Sequence, residues 1–101
     1  MNEIKLKLNA SNRGSFYIEE SGEIIAEMNI GVVGKVLTAY HTEVSDKLKG
    51  QGIGKKVLEA MVEHARKNQL KVIALCPFVY ATFKRYPELY EDIWQKSIKE
   101  P

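Results

Sequence analysis

The chain has 101 residues and a mass of 11.5 kDa, with 45% hydrophobic and 28% charged residues. This length suits one domain spanning 1–101, and the composition is ordinary for a globular protein. Fifteen Lys and Arg side chains against 13 Asp and Glu give a net charge of +2, which is too small to imply nucleic-acid binding by itself. The basic side chains are unevenly placed, because four lysines fall within ten residues: Lys47, Lys49, Lys55 and Lys56.

The sequence lacks the patterns of a membrane-spanning or secreted chain. No apolar run approaches the ~20 residues of a transmembrane helix, and the start at Met1-Asn2-Glu3 does not resemble a signal peptide. The lone cysteine, Cys76, has no partner for an intramolecular disulfide. These features favour a cytoplasmic protein without a membrane partner.

The first half of the chain is predicted to form four strands joined by short turns. Ser21-Gly22 is typical of a two-residue hairpin, and Gly31 and Gly34 bracket a second turn. Because the connections are short, we expect an antiparallel meander. The strands, chosen by alternation and by β-branched and aromatic content, are residues 4–8, 15–20, 23–30 and 36–44.

After Gly50 the pattern changes from strands to a helix. Apolar residues at intervals of three or four predict an amphipathic helix from about Gly52 to Lys67. The short apolar run at 71–76 predicts a buried strand. Strand 36–44, this helix and strand 71–76 then form a βαβ unit, in which the two strands are parallel.

The last part of the chain is predicted to contain two short helices. Pro77 ends the preceding strand, and residues 78–86 are assigned to the first helix. Pro87 permits a second helical start, which we extend from Glu88 to about Lys96. The predicted fold class is therefore α/β (α+β): a mixed, mainly antiparallel sheet of about five strands with a βαβ unit and C-terminal helices.

A glycine-rich turn at 49–56 (KGQGIGKK) lies between a predicted strand and the long helix. Glycine lets the main chain approach a ligand closely, and the free N–H groups at a helix start favour anions, phosphate above all. The turn is not a P-loop, because Gly50 and Gly54 are one residue too close. It is not the dinucleotide fingerprint either, because Lys55 stands at the third glycine position. A glycine-rich turn without a ligand is the alternative.

The same turn resembles the motif Q/R-x-x-G-x-G/A of GNAT-type N-acetyltransferases. Lys49, Gly52 and Gly54 stand at its first, fourth and sixth positions, with Lys49 in place of Gln or Arg. The order of strands, turn, helix and strand is also similar to the GNAT core, without the two helices that usually lie between its first two strands. Compact GNAT-like proteins of similar length carry a histidine in the fourth strand and a cysteine at the end of the fifth, and His41 and Cys76 occupy those positions.

The resemblance implies an enzyme that binds acetyl-CoA and acetylates an amine. GNAT proteins hold the pyrophosphate on main-chain N–H groups of this turn and the pantetheine arm between splayed strands. Carried over, Glu43 and Val44 present backbone groups to pantetheine, while Lys49 and Lys55 neutralise phosphates. The residues implied to contact acetyl-CoA or CoA are Glu43, Val44, Lys49, Gly50, Gln51, Gly52, Ile53, Gly54, Lys55 and Phe83.

Cys76 and His41 are the candidates for the chemistry. The ordinary pKa of histidine suits a base that takes a proton from the acceptor amine. Cys76 is either the nucleophile of an acetyl-cysteine route or part of the wall around the thioester. Each residue also has a structural interpretation, as a small buried hydrophobe and as a hydrogen-bonded strand residue. Glu43 shares a strand face with His41, so it can orient the histidine or replace it.

The chain departs from larger GNAT enzymes in its last helix. Those enzymes carry an Asn at the helix start and a proton-donating Tyr further on, where an ungapped alignment places Cys76 and Phe83. Without the two extra helices, we expect an acceptor pocket that is open or completed by a partner. The alternative function is a non-catalytic acyl-CoA-binding or protein-interaction module, and a nucleic-acid binder is disfavoured. No metal site is predicted, and the identity of the amine or protein acceptor and the oligomeric state stay open.

Overall fold

Five strands form one mixed sheet in the computed structural model, which describes residues 3–96. They lie side by side in chain order. β1 to β4 are antiparallel and β5 runs parallel to β4, which confirms the predicted meander and βαβ unit. The strands are Lys5–Leu8 (β1), Arg13–Glu20 (β2), Glu23–Val33 (β3), Val36–Val44 (β4) and Lys71–Ala74 (β5).

The turn predicted between β2 and β3 is confirmed, whereas the turn between β3 and β4 differs from the prediction. Ser21 and Gly22 have φ of 52° and 79° and connect β2 to β3, as the two-residue hairpin signal predicted. Gly31 is not part of a turn: it lies inside β3, opposite Thr38 of β4. β3 continues to Val33, and only Gly34 and the residue after it make the reversal.

The described helices are Ile53–Lys67 (α1), Pro77–Arg85 (α2) and Pro87–Tyr90 (α3). A short 3-10 helix at Asp46–Leu48 precedes the glycine turn and was not predicted. Over residues 3–96, no helix is long and apolar enough to cross a membrane.

The predicted helix from Glu88 to about Lys96 is wrong beyond Tyr90. The Val72 N–H instead donates to the Ile93 carbonyl at 2.7 Å, and the Gln95 N–H donates to the Val72 carbonyl at 2.8 Å. The chain therefore leaves the helix and runs parallel to β5 along its outer edge. The physical reason is that the edge of β5 carries N–H and C=O groups that need hydrogen-bond partners. A local sequence pattern does not show that this edge is available.

The core lies between α1 and one face of the sheet. Alternate residues of β2, β3 and β4 point to this face, and the apolar stripe of α1 packs against them, as its spacing predicted. The opposite face of β3 and β4 carries polar and partly exposed side chains, including Glu27, Asn29, His41 and Glu43. The buried residues of α1 are Ile53, Val57, Leu58, Met61, Val62 and Ala65.

Tyr90 fixes α3 to α1. Its hydroxyl donates to Glu59 Oε2 of α1 at 2.7 Å, and its ring stacks on Phe83 with centroids 4.6 Å apart. Burial, with the hydrogen bond to Glu59, raises the pKa of Tyr90 from 10.0 to about 12. Because the folded state favours the neutral phenol, the stabilisation is complete below pH 10 and is lost as the pH rises towards about 12.

We expect one of the five tyrosines to ionise late in an absorbance titration of the native protein, with a midpoint near pH 12. In Tyr90→Phe this late step should disappear, and the alkaline fall in the free energy of unfolding should be shallower. Absence of a late step near pH 12 in the folded wild type would contradict this account.

Candidate active site

A cleft of about 820 Å³ opens where β4 and β5 separate. The N–H groups of Leu75 and Cys76 both donate to the Ala39 carbonyl, at 3.1 and 2.8 Å, and the chain then turns into α2. β5 therefore ends at Ala74, two residues earlier than the sequence predicted, while β4 continues to Val44. Beyond Ala39, no described strand pairs with β4 on this side, so its backbone edge lies along the cleft.

A β-bulge at Tyr40 decides which side chains of β4 face the core. Ala39 lies opposite Ile30 and His41 lies opposite Asn29, so Tyr40 is an extra residue in β4. Beyond it, Thr42 pairs with the buried Met28 and faces the core. His41 points to the opposite face. A regular strand would have placed His41 on the core side with Ala39, because residues two apart share a face.

The glycine turn has a backbone suited to an anion. Gly50 and Gly52 have φ of 86° and 73°, and a Cβ at either position would meet no atom within 4 Å. Gly52 caps α1 without a side-chain hydrogen bond, and the first turn of the helix contains no acidic residue. The first helical bond runs from Lys56 N–H to the Gly52 carbonyl at 3.1 Å. The earlier N–H groups of α1 are thus free to bind a phosphate.

Lysines lie on both sides of this turn. Lys49 Nζ is 3.1 Å from Asp46 Oδ1 in an exposed ion pair, and Lys55 Nζ lies 5.9 Å from the centre of the Tyr86 ring. Both lysines line the cleft. The exposed ion pair of Lys49 contributes little stability, and the ring that Lys55 contacts is itself exposed. The end of the cleft at the glycine turn is therefore positively charged and rich in N–H donors.

The other end of the cleft is acidic. His41 Nε2 lies 3.3 Å from Glu43 Oε2, with side-chain exposures of 57% and 76%, which confirms that the two side chains share a face. Glu27 stands directly opposite Glu43 in the sheet, and its Oε2 accepts a hydrogen bond from the buried Ser15 hydroxyl at 2.9 Å. Two carboxylates and a solvent-accessible imidazole therefore lie together, an arrangement that can attract a cation and accept a proton.

Cys76 lies behind the wall of the cleft. It is 1% exposed, and its Sγ is 3.3 Å from Thr42 Oγ1. Thr42 lines the cleft, whereas Cys76 is not among the lining residues. Because His41 precedes Thr42 in β4, its side chain projects from the other face. The structure therefore pairs His41 with Glu43 and Cys76 with Thr42.

The cleft collects most of the predicted site residues. Three of them lie elsewhere: Cys76 as described, Gln51, whose side chain donates to the Lys47 carbonyl at 3.3 Å, and Phe83, which is fully buried. The predicted residues that line the cleft are His41, Glu43, Val44, Lys49, Gly50, Gly52, Ile53, Gly54 and Lys55.

Sequence reasoning missed Thr42, Glu27 and Phe78, which also line the cleft. A Cβ at Gly54 would lie 3.4 Å from the Phe78 ring, so the glycine lets α2 approach the start of α1. The register between β3 and β4 brings Glu27 to the site, and the bulge brings Thr42. Neither leaves a local signal in the sequence. Phe78 lies two residues after Cys76, and that proximity was the available signal.

Comparison with known proteins identifies the family. Residues 15–93 match the family model described as GCN5-related N-acetyl-transferase. This match covers most of the chain, and the chain therefore belongs to that family, as the glycine turn and the order of elements predicted. A search of curated protein sequences gives no match.

Solved structures agree in fold, and one of the structures below is also similar in sequence. The solution structure of a GCN5-like N-acetyltransferase candidate from Staphylococcus aureus is 38% identical, with a TM-score of 0.66, over 89% of this chain and 86% of that one. A ribosomal-protein-alanine N-acetyltransferase from Brucella melitensis biovar Abortus 2308 is similar in fold, with 13% identity and a TM-score of 0.67, over 100% of this chain and 96% of that one. The Escherichia coli ribosomal-protein-S18-alanine N-acetyltransferase is also similar in fold, with 19% identity and a TM-score of 0.62, over 80% of this chain and 54% of that one.

Proposed function

We propose that this protein is an acetyl-CoA-dependent N-acetyltransferase that acts on a cationic amine. The carrying observation is the glycine turn, whose left-handed Gly50 and Gly52 open the start of α1 onto the same cleft as the free edge of β4. One element suits a pyrophosphate and the other suits an extended chain with amide groups, and a CoA thioester contains both. Membership of the family supports acetyl transfer in general.

In this proposal the chain binds acetyl-CoA through the residues at the basic end of the cleft. Main-chain N–H groups of the turn and of the first helical residues would hold the pyrophosphate, because these donors have no helical partner. Lys49 and Lys55 would neutralise its charge, and the backbone of Glu43 and Val44 would hydrogen-bond the pantetheine arm. Acetyl-CoA supplies the activated acetyl group.

The acceptor enters at the acidic end. Glu27 and Glu43 attract a protonated amine, and His41, held by Glu43, is placed to take the proton that the amine must lose. In direct transfer, the neutral amine nitrogen bonds to the acetyl carbon and the carbon–sulfur bond breaks. The second proton that the nitrogen loses goes to the departing thiolate, directly or through solvent.

In the acetyl-cysteine route, the Cys76 sulfur first bonds to the acetyl carbon and CoA leaves with the thiol proton. The amine nitrogen then bonds to the acetyl carbon, and the bond to the Cys76 sulfur breaks, with the amine proton returning to that sulfur. The two routes share the cleft for acetyl-CoA and the amine, and the acetyl-cysteine route also needs the acetyl group to reach Cys76, which lies behind Thr42.

Isothermal titration with acetyl-CoA tests the binding half of this proposal, with NAD as a control that has a pyrophosphate but no pantetheine thioester. We expect saturable heat with acetyl-CoA and none with NAD. Absence of heat with acetyl-CoA at tens of micromolar protein would overturn the proposal.

Turnover is tested by the release of free CoA over a panel of monoamines, polyamines and lysine peptides. We expect release with cationic amines, and a lower rate in Glu43→Gln at equal acceptor concentration. Binding of acetyl-CoA without release on any acceptor would favour the alternative function, a non-catalytic acyl-CoA-binding module. The burial of Cys76 is the observation that agrees with that alternative.

A further inference from the structure

We infer that Thr42 is a positioning residue that controls how the Cys76 thiol reacts with molecules in the cleft. The inference rests on the proposed function and adds a residue to it. Thr42 was not among the residues that the sequence or the family resemblance pointed to. The inference rests on the contact between Thr42 and Cys76, on the burial of the Cys76 sulfur and on the bulge that precedes Thr42.

The sulfur of Cys76 has one polar side-chain partner in the described part of the chain. Cys76 belongs to the apolar core together with Val79 and Phe83, and the Thr42 hydroxyl is the side-chain group at hydrogen-bond distance from it, 3.3 Å. The thiolate is the nucleophilic form of cysteine, and a hydrogen bond from a nearby hydroxyl stabilises negative charge on the sulfur. A single hydroxyl is therefore expected to have a large influence on the reactivity of this sulfur.

Thr42 also lies between the sulfur and the cleft. Its side chain is half-buried and lines the cleft, while Cys76 is 1% exposed and does not. The bulge at Tyr40 produces this arrangement, because it turns Thr42, and not His41, towards the core side of β4. A molecule in the cleft that approaches the sulfur from this side meets the Thr42 side chain first.

The hydroxyl can serve both protonation states of the thiol through the same contact. When Cys76 is protonated, its S–H donates to Thr42 Oγ1. When Cys76 is ionised, the Thr42 O–H donates to Sγ, and a hydrogen bond to a charged group is stronger than one between neutral groups. Thr42 can thus hydrogen-bond the sulfur while negative charge develops on it during a reaction, without itself exchanging a proton with the substrate.

The test measures the alkylation of native protein by iodoacetamide, followed by intact mass. In this reaction the Cys76 sulfur bonds to the methylene carbon, iodide leaves and the thiol proton goes to solvent. Cys76 is the single cysteine of the chain, so Cys76→Ala gives the background. Thr42→Val keeps the shape and removes the hydroxyl, and Thr42→Ser keeps the hydroxyl and removes a methyl group.

We expect Thr42→Val to react about tenfold more slowly than the wild type, and Thr42→Ser to stay within about threefold of it. A structural defect would affect both variants, whereas rescue by serine identifies the hydroxyl. Thermal melting of both variants checks that they are folded. Equal rates for wild type and Thr42→Val would overturn the inference, as would a serine variant as slow as the valine variant or a native wild type that resists alkylation.

The outcome is separable from that of the proposed function. Loss of thiol reactivity in Thr42→Val, together with a wild type that does not bind acetyl-CoA, would overturn the proposed function and support the role of Thr42. Binding of acetyl-CoA with equal alkylation rates would overturn the role of Thr42 alone.

Discussion

A valine in place of Gly52 is expected to weaken acetyl-CoA binding by at least about tenfold, because it removes the anion site that carries the proposed function. Gly52 has a φ of 73°, and its missing Cβ faces open space at the start of α1. A branched side chain there would occupy the volume in front of the free N–H groups. Calorimetric titration with acetyl-CoA measures the effect directly.

Gly22 offers a matched control for this experiment. It has a φ of 79°, and a Cβ there also meets no atom within 4 Å, but it lies in the hairpin between β2 and β3 and does not line the cleft. Gly22→Val should therefore cost a similar backbone strain of about 1–2 kcal/mol and leave acetyl-CoA affinity unchanged. If both variants lose affinity to the same degree, the loss reports stability and the anion site is refuted.

Alanine in place of Phe83 is expected to lower the free energy of unfolding by about 3–5 kcal/mol. Phe83 is 0% exposed, stacks on Tyr90 with centroids 4.6 Å apart, and meets Trp94 edge-on at 5.7 Å. Its removal would leave a cavity where α2, α3 and the segment beside β5 meet. Equilibrium unfolding in urea, with the midpoint and slope compared between variants, gives the value.

Phe83→Leu separates packing from ligand contact at the same position. Leucine keeps most of the apolar volume, so this variant should be destabilised far less than Phe83→Ala. The family resemblance implied that Phe83 contacts acetyl-CoA, whereas its burial favours a role in packing. Unchanged acetyl-CoA affinity in Phe83→Leu would support packing, and a clear loss of affinity in this stable variant would support contact.

The sequence predicted those features that depend on local periodicity. Strands β1 to β4 follow alternation and turn residues, and α1 follows spacing of three and four between Ile53 and Ala65. The glycine turn could be assigned because the left-handed φ at Gly50 and Gly52 strongly favours glycine. In each case the physical requirement acts on neighbouring residues, so it leaves a pattern in the chain.

The rest depends on contacts between distant residues. The bulge at Tyr40 is a property of the register between β3 and β4, and it places Thr42, rather than His41, on the core face of β4. The segment after Tyr90 has a helical pattern in sequence, but in the structure it pairs with the free edge of β5. There the Val72 N–H donates one hydrogen bond and the Val72 carbonyl accepts another. Both features depend on pairing between segments in the folded sheet, so no local pattern in the sequence predicts them.

The pairing of Val72 with the segment after Tyr90 also affects how separate copies of this protein meet. A sheet edge with free N–H and C=O groups can recruit a strand from another molecule and start aggregation. At β5 the edge N–H and C=O groups of Val72 are already hydrogen-bonded within the chain, to Ile93 and Gln95. At the opposite edge, β1 presents Lys5 and Lys7, whose charges repel an identical strand. A chain shortened to end before Ile93 would expose the β5 edge and lose that protection.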